Sequence, residues 1–206
     1  MISQQQALTT VTQEIKEHTC SLRPGCTQAV PGDGSASSEI VFIGEAPGRY
    51  EDQAGRPFVG RARKLLDELL ASIHLSRSDV YITNVVKCRP PENRDPSPSE
   101  VAEHSNFLKT ELDIIKPRLI VLLGRHALNR FIPDAQISQL RGQAKRIGGQ
   151  VYLALYHPAA ALRNPAFAEA LKSDFKKIPT LLSKIKELPP APPKKPEATY
   201  QQSTMF

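Results

Sequence analysis

Four short apolar runs punctuate the chain: Glu39–Ile43 (EIVFI), Val80–Thr83 (VYIT), Leu119–Leu123 (LIVLL) and Val151–Leu155 (VYLAL). Continuous apolar runs of this length predict strands buried on both faces. Between them the period changes to that of a helix. Leu65, Leu66, Leu69, Leu70 and Ile73 make one stripe over Arg61–Ile73. Val101, Phe107, Leu108, Leu112 and Ile115 make another over Pro98–Ile115, with Ser97 as the N-cap. Gln4–Glu17 and Pro165–Lys186 also fit helices. Strand–helix alternation predicts an α/β fold of three layers, αβα, around a small, mostly parallel, four-stranded central sheet. Residues 189–206 break the pattern: they hold five prolines and no glycine, with too few apolar groups to pack a core. This segment is expected to be an extended, disordered tail, leaving 1–188 as the domain.

Composition adds limits. The chain has 206 residues, with 27 Lys+Arg against 21 Asp+Glu and a formal charge of +6. That balance suits a polyanion partner without establishing one. No apolar run approaches the roughly 20 residues of a membrane helix. The polar opening Met1-Ile2-Ser3-Gln4-Gln5-Gln6 does not read as a secretory signal. Three cysteines do not make a disulfide scaffold; they suggest a reducing, cytoplasmic setting, with the thiols buried, metal-bound or free.

In open α/β sheets ligands bind at the carboxyl ends of the strands, so the residues leaving each strand carry the chemistry. They are Gly44-Glu45-Ala46-Pro47-Gly48; Asn84, followed by Val85-Val86-Lys87-Cys88-Arg89-Pro90-Pro91; Gly124-Arg125-His126; and Tyr156-His157-Pro158. Each alone has an ordinary reading, as a tight turn, an amide satisfying a loop, or a structural histidine. Together they predict a ligand site for an anion or nucleotide, of no particular reaction class.

The longer stretches GEAPGRYEDQAGRPFVGRA, ITNVVKCRPPENRDPSP and YHPAAALR resemble the family 4 uracil-DNA glycosylases, over about Glu17 to Leu182. The resemblance implies a base-excision-repair hydrolase, acting near the nucleoid. It would flip uracil from DNA, cut its N-glycosidic bond and leave an abasic site. Phe58 matches the family's stacking residue, Asn84 its recognition asparagine, and Ala46 falls in the uracil-binding set. An amide can donate to uracil O4 and accept from N3–H; cytosine reverses both groups. His157 matches the histidine aimed at uracil O2, where negative charge develops. Glu45 is expected to position or activate water. Gly48 adds no bulk, so exclusion of thymine is not evident. Leu162, in the segment that matches the family's intercalation loop, is the candidate wedge for the gap left by the base. Arg163 and Arg89, with Arg56, Arg61, Lys87 and Arg94, are expected to face phosphates.

The family carries a 4Fe–4S cluster on four cysteines. Matched to that pattern, the four positions here hold Glu17, Cys20, Cys88 and His104. Three outcomes are open: loss of the cluster, a single zinc on Cys20, Cys88 and His104 with Cys26 or Glu17, or an atypically ligated cluster. CRPPENRDPSP lacks the basic insertion through which a related group links covalently to DNA, so hydrolysis is expected. In the tail, Gln202, Met205 and Phe206 resemble a sliding-clamp peptide, presenting two apolar anchors and an amide. The competing reading is a non-catalytic, clamp-recruited DNA-binding adaptor on the same fold. An unrelated nucleotide enzyme ranks last, since no phosphate loop follows any strand. The chain is expected to be a monomer.

Overall fold

Side-chain alternation along the four apolar runs decides the layering. The computed structural model describes residues 2–187. In chain order the elements are α1 (Gln4–Glu17), β1 (Asp33–Gly34), β2 (Ile40–Gly44), α2 (Arg49–Ala54), α3 (Arg61–Ala71), β3 (Tyr81–Asn84), α4 (Pro98–Ile115), β4 (Leu119–Leu123), α5 (Gly124–Phe131), α6 (Ile137–Leu140), β5 (Ala144–Ile147), β6 (Gln150–Leu155), α7 (Pro158–Ala161), α8 (Pro165–Phe175) and α9 (Ile178–Lys186). Val41 and Ile43 of β2 and Ile120 and Leu122 of β4 face one side, against Leu8, Val11 and Ile15 of α1 and Leu108 and Ile115 of α4. Their neighbours Ile40, Phe42, Leu119, Val121 and Leu123 face the other, with Leu66 and Leu70 of α3, Leu171 and Phe175 of α8 and Ile178 of α9. A strand's period of two thus feeds two cores, and helices cover both faces.

The sheet order is β1-β3-β2-β4-β6-β5. The four central strands are parallel, as expected. Two antiparallel edge strands, β1 on β3 and β5 on β6, extend the sheet to six. Neither has an apolar run: β1 is two residues long and β5 (AKRI) is exposed throughout. The helix expected over Pro165–Lys186 is two, α8 and α9. Pro179 lacks an N–H and can sit only in a first turn, so a new helix starts just before it. Ser97 caps α4 as read, and Glu100 returns the bond to the Ser97 N–H at 2.7 Å.

From β2 the chain crosses to β3 on one side, then returns to place β4 on the other. The topological switch point therefore lies between the carboxyl ends of β2 and β4, where this class of sheet opens a crevice. The clamp-like peptide at Gln202, Met205 and Phe206 lies outside the described residues, as does the rest of 189–206. No described helix is long and apolar enough to cross a membrane.

Candidate active site and a cysteine–histidine cluster

Four strand ends converge on the switch point. β2 and β3 pair in register so that Gly44 lies beside Asn84. A Cβ built on Gly44 would stand 2.4 Å from Asn84 Oδ1 and 2.9 Å from Phe58 Cζ. Gly44 is therefore the floor that lets a planar amide and an aromatic ring meet. At the next strand end a Cβ on Gly124, whose φ is +87°, would meet His157 Cβ at 3.1 Å. The His157 and Phe58 rings stack, with centroids 5.4 Å apart. Asn84 and Phe58 thus come together over Gly44, and the Phe58 ring leads on to His157; Ala46, two residues past Gly44, is half-buried.

His157 is held in one tautomer. Its Nδ1 accepts from the Ala159 N–H at 3.1 Å, so the ring proton of the neutral form sits on Nε2. Burial lowers its pKa to about 4, so the ring is neutral at physiological pH. Glu45, just past β2, is part-exposed. Burial first, and Asp95 second, raise its pKa, against the lowering effects of His126 and Arg125. His126 Nε2 lies 3.7 Å from Glu45 Oε1, 3.2 Å from Asp95 Oδ1 and 2.9 Å from Arg125 Nε. A cavity of about 330 Å³ opens here, bounded by Glu45, His126 and His157 with Tyr156 and Phe167 behind. The sequence reading placed His126 at a strand end but gave it no role. It passed over Asp95 altogether; the signal was an acid in the loop between β3 and α4.

The site has a buried support. Lys87 and Glu111 are both fully buried and pair at 2.6 Å. Lys87 Nζ also donates to Thr83 Oγ1 at 2.6 Å and to the Asn84 carbonyl at 3.0 Å. Glu111 accepts further from the Tyr81 hydroxyl at 3.0 Å and the Thr83 hydroxyl at 2.9 Å. Lys87 is therefore not on a phosphate-facing surface; it fixes the backbone that carries Asn84. On the other side Phe58 has φ +50°, an uncommon angle for an aromatic residue. Arg77 donates to the carbonyls of both Pro57 and Phe58, and Glu51 accepts from the N–H of Val59 and of Gly48, each at 3.1 Å. These bonds hold the turn that presents the ring.

Residues 31–178 match the family model described as the Uracil DNA glycosylase superfamily. The chain belongs to that superfamily. It is 51% identical over 174 residues to the type-4 uracil-DNA glycosylase of Archaeoglobus fulgidus, covering 80% of this chain and 87% of the relative. It is 44% identical over 168 residues to the type-4 uracil-DNA glycosylase of Thermotoga maritima, covering 80% and 88%. The type-5 uracil-DNA glycosylase of Pyrobaculum aerophilum is 31% identical over 148 residues, covering 63% and 65%.

Around the crevice of this uracil-DNA glycosylase superfamily member, the outward residues divide. Leu162, at the end of α7, is 39% exposed, and Arg163 beside it is exposed. Tyr50 on α2, which the sequence reading did not single out, is 67% exposed. Arg61 is exposed, while Arg89 is half-buried and donates to Asn93 Oδ1 at 2.7 Å. Arg56 pairs with Asp33 at 3.0 Å, and Arg94 forks onto Glu100 at 2.8 and 2.5 Å.

The four positions matched to the iron–sulfur ligands of family 4 do not come together as a set. Cys20, Cys88 and His104 do: one ligand atom from each lies within 4.8 Å of the others. Glu17 does not. It is exposed at the end of α1, and its carboxylate accepts from Gln13 Nε2 one turn back. Cys26 is better placed: it is partly buried and packs against the core cluster that contains Cys88. The residues present therefore do not supply the family's four-thiolate cage for a cluster.

Proposed function

We propose that the chain removes uracil from DNA by hydrolysing its N-glycosidic bond, leaving an abasic site. One observation carries the mechanism: the Ala159 N–H occupies His157 Nδ1, which leaves Nε2–H as the donor. In this reading uracil lies on the Phe58 ring with its Watson–Crick edge on the Asn84 amide. As the bond to the sugar breaks, electrons move onto the base, and charge grows at N1 and O2. The His157 Nε2–H meets O2 as that charge develops, so it stabilises the transition state more than the ground state. A neutral imidazole keeps its proton there; nothing needs to be transferred to the base. The Glu45 carboxylate faces the sugar side. It orients a water and, with its raised pKa, accepts a proton as water adds to the electron-poor sugar carbon. The intact site leaves no observation in favour of the adaptor reading.

The test is excision from an oligonucleotide with one uracil, read as strand cutting by alkali. His157→Ala is expected to lose roughly 10²–10³-fold in rate, the usual cost of one such donor. Asn84→Ala should show a comparably large loss, with both variants still binding DNA. Parent-like rates in both would overturn the assignment.

Three finer points belong to the same reading. The enzyme acts as a monomer on the nucleoid. Leu162 enters the stack while Arg163 and Arg89 meet the backbone. Gln202, Met205 and Phe206 tether the domain to a sliding clamp. Removing residues 202–206 should abolish clamp binding in a pull-down and leave excision on short oligonucleotides intact; unchanged clamp binding would discard the tether.

A further inference from the structure

His104 is fully buried in α4, and neither of its ring nitrogens has a hydrogen-bond partner. A buried imidazole without a partner costs on the order of 1–3 kcal/mol, so such a ring calls for a ligand. Cys20 and Cys88 each bring a sulfur within 4.8 Å of it, and Cys20 and Cys26, partly buried, pack against the core cluster that contains Cys88. We propose that Cys20, Cys26, Cys88 and His104 hold a single tetrahedral ion of the zinc class, where the type-4 pattern would place an iron–sulfur cluster.

The spacing favours one ion. Zinc bonds of about 2.3 Å to sulfur and 2.0–2.1 Å to nitrogen set tetrahedral donors roughly 3.5–4 Å apart. The three donors of Cys20, Cys88 and His104, gathered within 4.8 Å, need only a small adjustment to reach that figure, and Cys26 is the fourth that the proposal adds. A cubane, with eight atoms of its own, must push its ligands further apart. The donor set agrees: three thiolates and one imidazole is a common closed, structural zinc site. Three thiolates on a dication leave one net negative charge. Arg23 Nη1, 3.5 Å from Cys26 Sγ, is placed to offset it. Binding releases the thiol protons to solvent, and no electron is transferred.

Two rivals for the fourth place are weaker. Glu17 is exposed and turned away. His18 Nε2 is also buried without a partner, but the ring meets His104 and Phe107 edge-on, at 5.5 and 4.8 Å between ring centres, and stands outside the donor group of Cys20, Cys88 and His104. The ion's work would be mechanical. It joins the segment after α1, through Cys20 and Cys26, to the exit of β3 at Cys88 and to α4. Lys87, next to Cys88, is the residue that holds Asn84 in place.

The test uses the full chain, produced with both iron and zinc supplied. Metal and acid-labile sulfide are counted per chain, and X-ray absorption at the zinc edge reads the donors. The expected result is one zinc per chain, three sulfurs and one nitrogen, and no sulfide. Cobalt exchanged into the protein should give the visible bands of a tetrahedral thiolate site. Cys26→Ser and His104→Ala should weaken zinc binding by more than the roughly 10–100-fold typical of an outer-shell change, and His18→Ala should not. A brown protein with iron and sulfide in equal numbers would overturn the proposal. So would a chain that keeps no stoichiometric metal, or a zinc shell of two sulfurs and two nitrogens. The absorption measurement is made on the parent chain, so it decides the matter even where a variant fails to fold.

Discussion

His157 and Glu45 do opposite things with burial. The imidazole is pushed down, to about 4, and so stays a neutral donor; the carboxylate is pushed up and so becomes a better base. In the proposed mechanism Glu45 must be ionised to act, so activity is present above its pKa and lost as pH falls through it. We expect the acid limb of kcat/KM above the ordinary carboxylate value of 4.5. Asp95 raises the Glu45 pKa, so Asp95→Asn should move that limb to lower pH. His126 lowers it, so His126→Gln should move the limb up. A pH profile of single-turnover excision checks both, and a limb that moves in neither variant would separate Glu45 from the chemistry. Glu45, Asn84 and His157 were legible because each sits at or just past the carboxyl end of a strand. Asp95 and His126 were less so, because their meaning lies in a contact 31 residues long that no local pattern announces.

At the scale of elements, the four parallel strands could be read because a strand buried on both faces must be apolar throughout. The edge strands could not: β5 is polar and exposed, and its pairing is set by β6. The same logic hid Lys87. A lysine beside a DNA-binding motif reads as surface, and only the fold brings Glu111, one helix away, within 2.6 Å of it. That pair bolts α4 to β3 beneath the site. Lys87→Met leaves the Glu111 carboxylate buried without its counter-ion, at a cost of about 3–5 kcal/mol. Calorimetry should show Tm lowered by roughly 10 °C in a domain of this size. Adding Glu111→Gln should recover part of the loss, because a neutral amide still accepts from Tyr81. A parent-like Tm in Lys87→Met would mean that the pair does not support the strand.

At the scale of the whole molecule, the crevice, the exposed Leu162 and the exposed Arg163 lie on the end of the sheet where the parallel strands terminate. The proposed wedge, Leu162, would act only where a base leaves a gap in a stack. Leu162→Ala should therefore slow excision from duplex DNA and leave single-stranded uracil nearly unaffected; equal slowing on both would remove the wedge role. The resemblance of three motifs pointed to Asn84, Phe58 and His157, which the fold gathers at this end. It misplaced Glu17, because a position matched along the chain need not face the same way in space.

The groups at the crevice leave the ribosome far apart, at positions 45, 58, 84 and 157. Gly124 and His157 can meet only after β6 has paired with β4. In the proposed reading a nascent chain is therefore catalytically silent until His157 has been made and β6 has found β4. A polypeptide released early carries the Asn84 amide and the Phe58 ring but no donor for the leaving base. In the proposed reading, termination before His157 yields a fragment that cannot release a base from DNA.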